Sequence, residues 1–179
     1  DVVIYGADSS SGNIRFYAGA STETARIRAG GGITFNGDTA AANALDDYEE
    51  GDWTPTVIAT GGSPSIGYAS QVGKYVKIGK MVTVWCRITL NSISGGSGDA
   101  KIEGLPVITE NTEAMRGNSH VMLDQLSNNR RTASIQADPN GTTLTLIRDS
   151  GSTPSHAALP FSDITASTDV RFQYSYRVP

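Results

Sequence analysis

Few side chains in this sequence could do covalent or metal chemistry, and their spacing brings none of them together. There are two histidines and one cysteine in 179 residues. His120 lies in the run GNSHVMLD and His156 in a Ser/Pro/Ala stretch, and no H-x-x-x-H pair exists. A lone cysteine excludes an intramolecular disulfide and a cysteine-rich metal cluster within one chain. A metal site would then need carboxylates beside a single histidine, or one histidine from each of three chains on a threefold axis. Neither pattern is specific enough to assign, so no metal and no cofactor is expected. Cys86 shares a strand face with Val82, Val84, Ile88 and Leu90. It reads as a small buried hydrophobe rather than a nucleophile.

The carboxylates are more numerous but equally unpatterned. Asp46, Asp47, Glu49, Glu50 and Asp52 follow Ala44. They lack the Gly and the closing Glu of a calcium-binding EF-hand loop, and read as a solvated acidic turn. Glycoside hydrolysis would need two carboxylates roughly 5–10 Å apart. Asp124, Asp138, Asp149, Asp163 and Asp169 fall in or near expected loops and form no motif. The sequence GGSGD at 95–99 only approaches the nucleophile-elbow pattern G-x-S-x-G. Walker A and dinucleotide fingerprints are absent, so AGGGI and GGSGD read as turns. No catalytic residue is assigned, and the chain is expected not to be an enzyme.

Binding chemistry is easier to place. The segment Thr109–Arg131 carries Asn111, Arg116, Asn118, Asn128, Asn129, Arg130 and Arg131. Amide and guanidinium groups make directional hydrogen bonds suited to sugar hydroxyls and acidic glycans. These seven residues are the candidate receptor-binding set, with Arg116 and Arg130 foremost. Trp53 and Trp85 could serve as sugar platforms, but both lie at or in expected strands, where core packing is the plainer reading. The net charge is −4 and no face is obviously basic, which argues against a nucleic-acid partner. No apolar run approaches the ~20 residues of a membrane helix, so membrane insertion is not expected. The chain begins with Asp1 rather than Met and reads as a piece of a longer one.

These residues are positioned by a β-rich framework. Gly is abundant, at 20 residues, and only 18% of the chain is charged, a texture of short strands and many turns. The sequence predicts strands at 54–60, 73–78, 81–90, 99–103, 118–123, 132–137, 142–148 and 169–178. The last alternates cleanly: Val170, Phe172, Tyr174, Tyr176 and Val178 against Arg171, Gln173, Ser175 and Arg177. DPNG at 138–141 marks a hairpin turn. The expected fold is all-β, with an antiparallel sandwich or jelly-roll-like head over 53–179.

Residues 1–37 have a different texture, in short apolar pulses separated by Gly and Ser. Strands so short cannot bury much surface within one chain, so their partners are expected in other chains; the plainer alternative is an edge sheet folded onto the main domain. Residues 38–52 read as a linker, either an extended hinge or a turn or two of helix that Asp38 or Thr39 could cap.

The run NGDTAAANALDDYEEGDWTPT followed by YASQVGKYVKIGKMVTV resembles the C-terminal region of bacteriophage tail fibres and tailspikes. The likeness is strongest over Gly32–Thr56 and extends to about Leu105; where the pattern usually has Thr, this chain has Asp52. The resemblance implies a fibrous stem at 1–37 in which three copies wrap together, with Ile4, Ile14, Phe16, Ile27, Ile33 and Phe35 on the shared axis. It implies a homotrimer joined to the rest of a tail fibre on the virion. The head would bind a host cell-surface receptor, a polysaccharide above all, during adsorption. Two other roles come with the family: a trimerisation or folding domain without receptor binding, and a glycan depolymerase. In tailspikes the latter usually occupies a long β-helix, and no such repeat is present here.

Overall fold

The computed structural model describes residues 12–112, 118–127, 133–149 and 156–179. Among them thirteen β-strands are joined by turns, with short 3-10 turns at Ala41–Asn43 and Phe161–Asp163. No described helix is long and apolar enough to cross a membrane. The chain divides into two compact units, one up to Glu49 together with Lys77–Gly79, the other comprising Glu50–Val76 and Lys80–Pro179.

The first unit holds a three-stranded antiparallel sheet of β1 (Ile14–Ala18), β2 (Thr22–Ile27) and β3 (Ile33–Phe35). Its register puts Ile14, Ile27 and Ile33 in one cross-strand row and Phe16, Ala25 and Phe35 in the next. Strand alternation places both rows on the same face. Arg15, Arg26 and Thr34 form a row of the opposite face, where Arg26 donates two hydrogen bonds to Glu23 at 2.5 and 2.7 Å. Thr34 is buried, but no apolar residue of this unit is, among the described residues. Ile27 and Phe35 are exposed. Gly31 and Gly32 take positive φ in the β2–β3 turn, as expected for AGGGI.

The stretch after β3 yields a single 3-10 turn, Ala41–Asn43, flanked by extended residues. Asp38 accepts hydrogen bonds from the Ala40 amide at 2.8 Å and from the Asn43 side chain at 2.6 Å. So short a segment cannot propagate a helix. The acidic run then forms β4 (Tyr48–Trp53), a strand and not a solvated turn. β4 is an edge strand, and charged side chains are the usual device by which an edge avoids pairing with another chain. Its pattern is mostly exposed, so no hydrophobic alternation announces it.

The second unit contains β5 (Thr56–Gly61), β6 (Ser65–Ile78), β7 (Met81–Ser94), β8 (Ser97–Glu103), β9 (Asn118–Asp124), β10 (Ala133–Ala137), β11 (Thr143–Asp149), β12 (His156–Ala158) and β13 (Asp169–Arg177). The sheet order is β4-β6-β7-β13-β9-β10-β11-β8-β5, with β12 paired to β11. All eight predicted strands are present; β6 begins eight residues earlier than expected, and β12 replaces an expected loop at His156.

β4 and β5 are consecutive in sequence yet stand at opposite ends of this sheet. Only Thr54 and Pro55 separate them, which caps the gap at about 11 Å. The sheet must therefore curl until its two ends meet, giving a sandwich-like half-barrel. Side chains bridge the seam. The Val57 amide donates to the Tyr68 hydroxyl at 3.1 Å, and the Gln71 side chain donates to the Pro55 carbonyl at 2.9 Å. The Trp53 indole N–H is shared between the carbonyls of Lys74 and Trp85, at 3.1 and 3.2 Å.

The inner face forms a belt around the curl. Tyr174 pairs with Val84, Phe172 with Cys86 and Val121, Ile135 with Leu146, Leu144 with Ile102, and Ile102 with Val57. All of them are buried. Buried tyrosines still need partners for their oxygens. The Tyr176 hydroxyl donates to the Val107 carbonyl at 3.0 Å, and the Ala137 amide donates to the Tyr174 oxygen at 3.1 Å.

Gly73 makes room for the Trp53 ring. A Cβ there would stand 2.6 Å from the Trp53 Cδ1, Nε1 and carbonyl oxygen. Gly73→Ala should therefore displace the indole and destabilise the fold by about 1–3 kcal/mol, the usual range for overpacking. Denaturant midpoints at unchanged slope are the measurement.

Candidate functional site

Alternation that buries Val84, Cys86 and Phe172 turns their neighbours outward. On β7 the outward residues include Thr83, Trp85, Arg87 and Thr89; on β13 they are Asp169, Arg171, Gln173, Ser175 and Arg177. The register sets Trp85 opposite Gln173, Arg87 opposite Arg171, and Thr89 opposite Asp169. On β9, Met122 lies beside Arg171 and Asp124 beside Asp169. Trp85 is 42% exposed, unusual for so large an apolar group at mid-strand. The expectation that Trp85 packs in the core is thus overturned. Two-residue periodicity puts it on the opposite face from Val84 and Cys86, and only Trp53 is buried.

These residues edge a shallow depression of about 360 Å³, lined by Val72, Lys74, Trp85, Arg87, Arg171 and Gln173 with Cys86 and Phe172. Its charges are unequally satisfied. Arg171 donates to both carboxylate oxygens of Asp169, at 2.9 and 2.7 Å, and Thr89 adds a bond to Oδ2 at 3.2 Å. The Arg171 hydrogen bonds hold the Asp169 carboxyl below its ordinary range despite some burial. Lys74 forms an ion pair with Asp52. Arg87 has no hydrogen-bond or ion-pair partner among the described residues, although it stands directly across from another guanidinium. Like charges opposed across a ladder are destabilising, and Asp169 relieves this by neutralising one of the two. An exposed indole face, a guanidinium with unused donors and a neutral amide together suit a polar, partly apolar ring such as a sugar.

Of the seven residues picked from the sequence, Asn111 is described and exposed. It follows Glu110, whose amide donates to the Arg177 carbonyl at 2.8 Å. That end of β13 is four residues from Gln173, or about 13 Å, so Asn111 is not part of the Trp85 depression. Asn118 opens β9. Arg116, Asn128, Asn129, Arg130 and Arg131 lie outside the described residues. The Trp85 face was missed because its residues are spread over three strands; the outward alternation of Trp85, Arg87, Arg171 and Gln173 was the available signal.

The aspartates considered for catalysis divide by environment. Asp138 is a structural hub at the DPNG turn, where Asn140 takes positive φ. Its carboxylate accepts from Lys101 at 2.7 Å, Thr143 at 2.6 Å and Thr145 at 2.8 Å. Thr109 clasps the same turn, donating to the Asp138 carbonyl at 2.5 Å and accepting from the Gly141 amide at 3.1 Å. Burial pushes the Asp138 carboxyl up, but the bonds from Lys101, Thr143 and Thr145 and the Lys101 charge outweigh it and leave it below its ordinary value. Asp163 is buried in the Phe161–Asp163 turn. Burial pushes the Cys86 thiol far up, so it stays protonated and poorly nucleophilic. His120 and His156 are both exposed, on β9 and β12. Among the described residues no three His, Cys, Asp or Glu side chains come together as a metal-ligand set.

No family model matches the chain, and no curated protein matches it. Among solved structures it is similar to the Dettilon tailspike protein, at 18% identity and a TM-score of 0.54. The likeness covers 73% of this chain and 23% of that one, so the chain spans less than a quarter of the tailspike's length. At that identity it establishes a tailspike-like fold.

A folded-state pKa below the unfolded value stabilises the protein above the ordinary carboxylate pKa of ~3.9, and that stability is lost as pH falls through the lower folded value. Asp138→Asn should lower stability at neutral pH by about 1–2 kcal/mol, allowing for partial exposure. The gap between wild type and variant should close as pH drops below ~4. Melting curves from pH 7 to pH 2 follow it.

Proposed function

We propose that this chain is a receptor-binding module of a phage tail, which attaches to a glycan on the host surface. The observation that carries the reading is Trp85, held exposed in a shallow depression between Arg87, Lys74 and Gln173 on a tailspike-like fold. A rigid strand face offers a sugar a preformed platform at little entropic cost. On this reading the module sits at the C-terminal end of a tail fibre or tailspike, on the virion. It binds without cleaving. Asp138 and Asp169 are engaged in ion pairs with Lys101 and Arg171, which favours structural over catalytic use.

The three-stranded sheet supports a homotrimeric stem before a β head. Its face of Ile14, Phe16, Ala25, Ile27, Ile33 and Phe35 has no buried apolar residue within one chain, so two further copies are its natural cover. That same face favours the second reading, a trimerisation or folding domain whose receptor site lies elsewhere. The polar segment around Asn111, Arg116, Asn118 and Asn128–Arg131 is a second candidate receptor surface. Three weak sites on one trimer would gain by avidity.

Light scattering should return about three times the 18.8 kDa chain mass, and Phe35→Asp should reduce it to one. For binding, immobilised bacterial surface polysaccharides are probed with wild type, Trp85→Ala and the double variant Arg116→Ala/Arg130→Ala. Trp85→Ala should weaken attachment at least tenfold while leaving the polysaccharide at full length in every case. Loss only in the double variant would move the site to the 109–131 segment. Shortened polysaccharide would make the chain a depolymerase, and no attachment at all would leave the assembly role.

A further inference from the structure

The Arg87 guanidinium, which donates no hydrogen bond among the described residues, bears on the kind of glycan the depression fits. Trp85 and Arg87 are two residues apart on the same strand face, about 7 Å, close to the length of one sugar unit. A ring laid on the indole therefore carries its substituent to Arg87. Arg171 is held by both oxygens of Asp169, and Lys74 is paired with Asp52, so the charge of each is already offset by a carboxylate. Among the described residues Arg87 has no hydrogen-bond or ion-pair partner and feels the Asp169 carboxylate only at a distance, and it stands across from Arg171. An anion on Arg87 would remove the remaining cross-strand repulsion. Gln173, opposite Trp85, offers a donor and an acceptor to the ring hydroxyls.

We infer that the depression selects an acidic sugar bearing one carboxylate, its apolar face on Trp85 and its carboxylate in the fork of Arg87. This rests on the glycan-binding reading above. The guanidinium fork matches a planar carboxylate through two parallel hydrogen bonds, which a lysine ammonium cannot reproduce. A neutral sugar would leave Arg87 unpaired and gain only the stacking.

The test uses the purified full chain and a panel of isolated bacterial surface polysaccharides, some neutral, some carboxylated, some sulfated or phosphorylated. Each polysaccharide that binds and carries carboxyl groups is retested after their reduction to alcohols. A carboxylated polysaccharide should bind, and reduction should weaken it at least tenfold. Arg87→Ala should cause a similar loss, while Arg87→Lys should restore only part of the affinity. Arg87 is exposed, so unchanged melting curves should accompany these losses. Binding that survives carboxyl reduction, or that is found only with neutral, sulfated or phosphorylated polymers, overturns the acidic-sugar assignment and leaves glycan binding standing. Binding to none of the panel overturns both. A fall in oligomer mass on Trp85→Ala, with binding unaffected, assigns the face to contacts between copies and overturns the inference.

Discussion

The seam between β4 and β5 is the constraint on which the head depends. A two-residue link joins strands at opposite ends of the sheet, so every strand between them must share in the curl. The Trp53 indole N–H reaches two backbone carbonyls from neighbouring strands, and Gly73 leaves space for its ring. Tyr68 and Gln71 serve the other side of the gap, where side chains take over from ladder hydrogen bonds. Buried backbone groups at such a break would otherwise be left without partners, at the full cost of their desolvation. Closure also decides what is inside, since a curled sheet has one concave face that can be filled.

That division produces both the core and the outward Trp85 face from one alternating pattern. The residues that fill the interior are the odd or even members of each strand, and the remaining members are handed to solvent. Val84 and Trp85 are neighbours in sequence, yet one is fully buried and the other stands open. A platform built this way is stiff because its backbone is fixed by core packing on the opposite side. The outward face thus needs no loop rearrangement to exist.

Charge is placed with the same economy. Asp138 ties a hairpin turn to Lys101 and two threonines, and Thr109 closes over the same turn through backbone groups. Asp169 neutralises Arg171, which lets two guanidinium groups face one another across a ladder. The carboxylates with the most distinctive surroundings therefore have structural partners. Among the described residues, Arg87 beside the exposed Trp85 ring is a cation with no hydrogen-bond partner.

Much of the head was legible in the sequence because period-two alternation is a local property. Val170 to Tyr176 announced β13, Met81 to Leu90 announced β7, and DPNG announced the turn between β10 and β11. β4 was not legible, since an acidic edge strand has neither face fully buried and carries no alternation to read. β12 was hidden for a related reason: three residues are too few to show a period. The sequence also determined that metal-ligating and nucleophilic groups are scarce, since that follows from composition and spacing. Only the tertiary structure decided which residues share a surface. Trp85 looks like core in one dimension, because an aromatic within an apolar strand reads as buried. The register that sets it beside Gln173, and Arg87 beside Arg171, depends on pairing between strands some eighty residues apart in the chain. Such pairing is fixed by closure of the whole sheet, and no local window of sequence contains it.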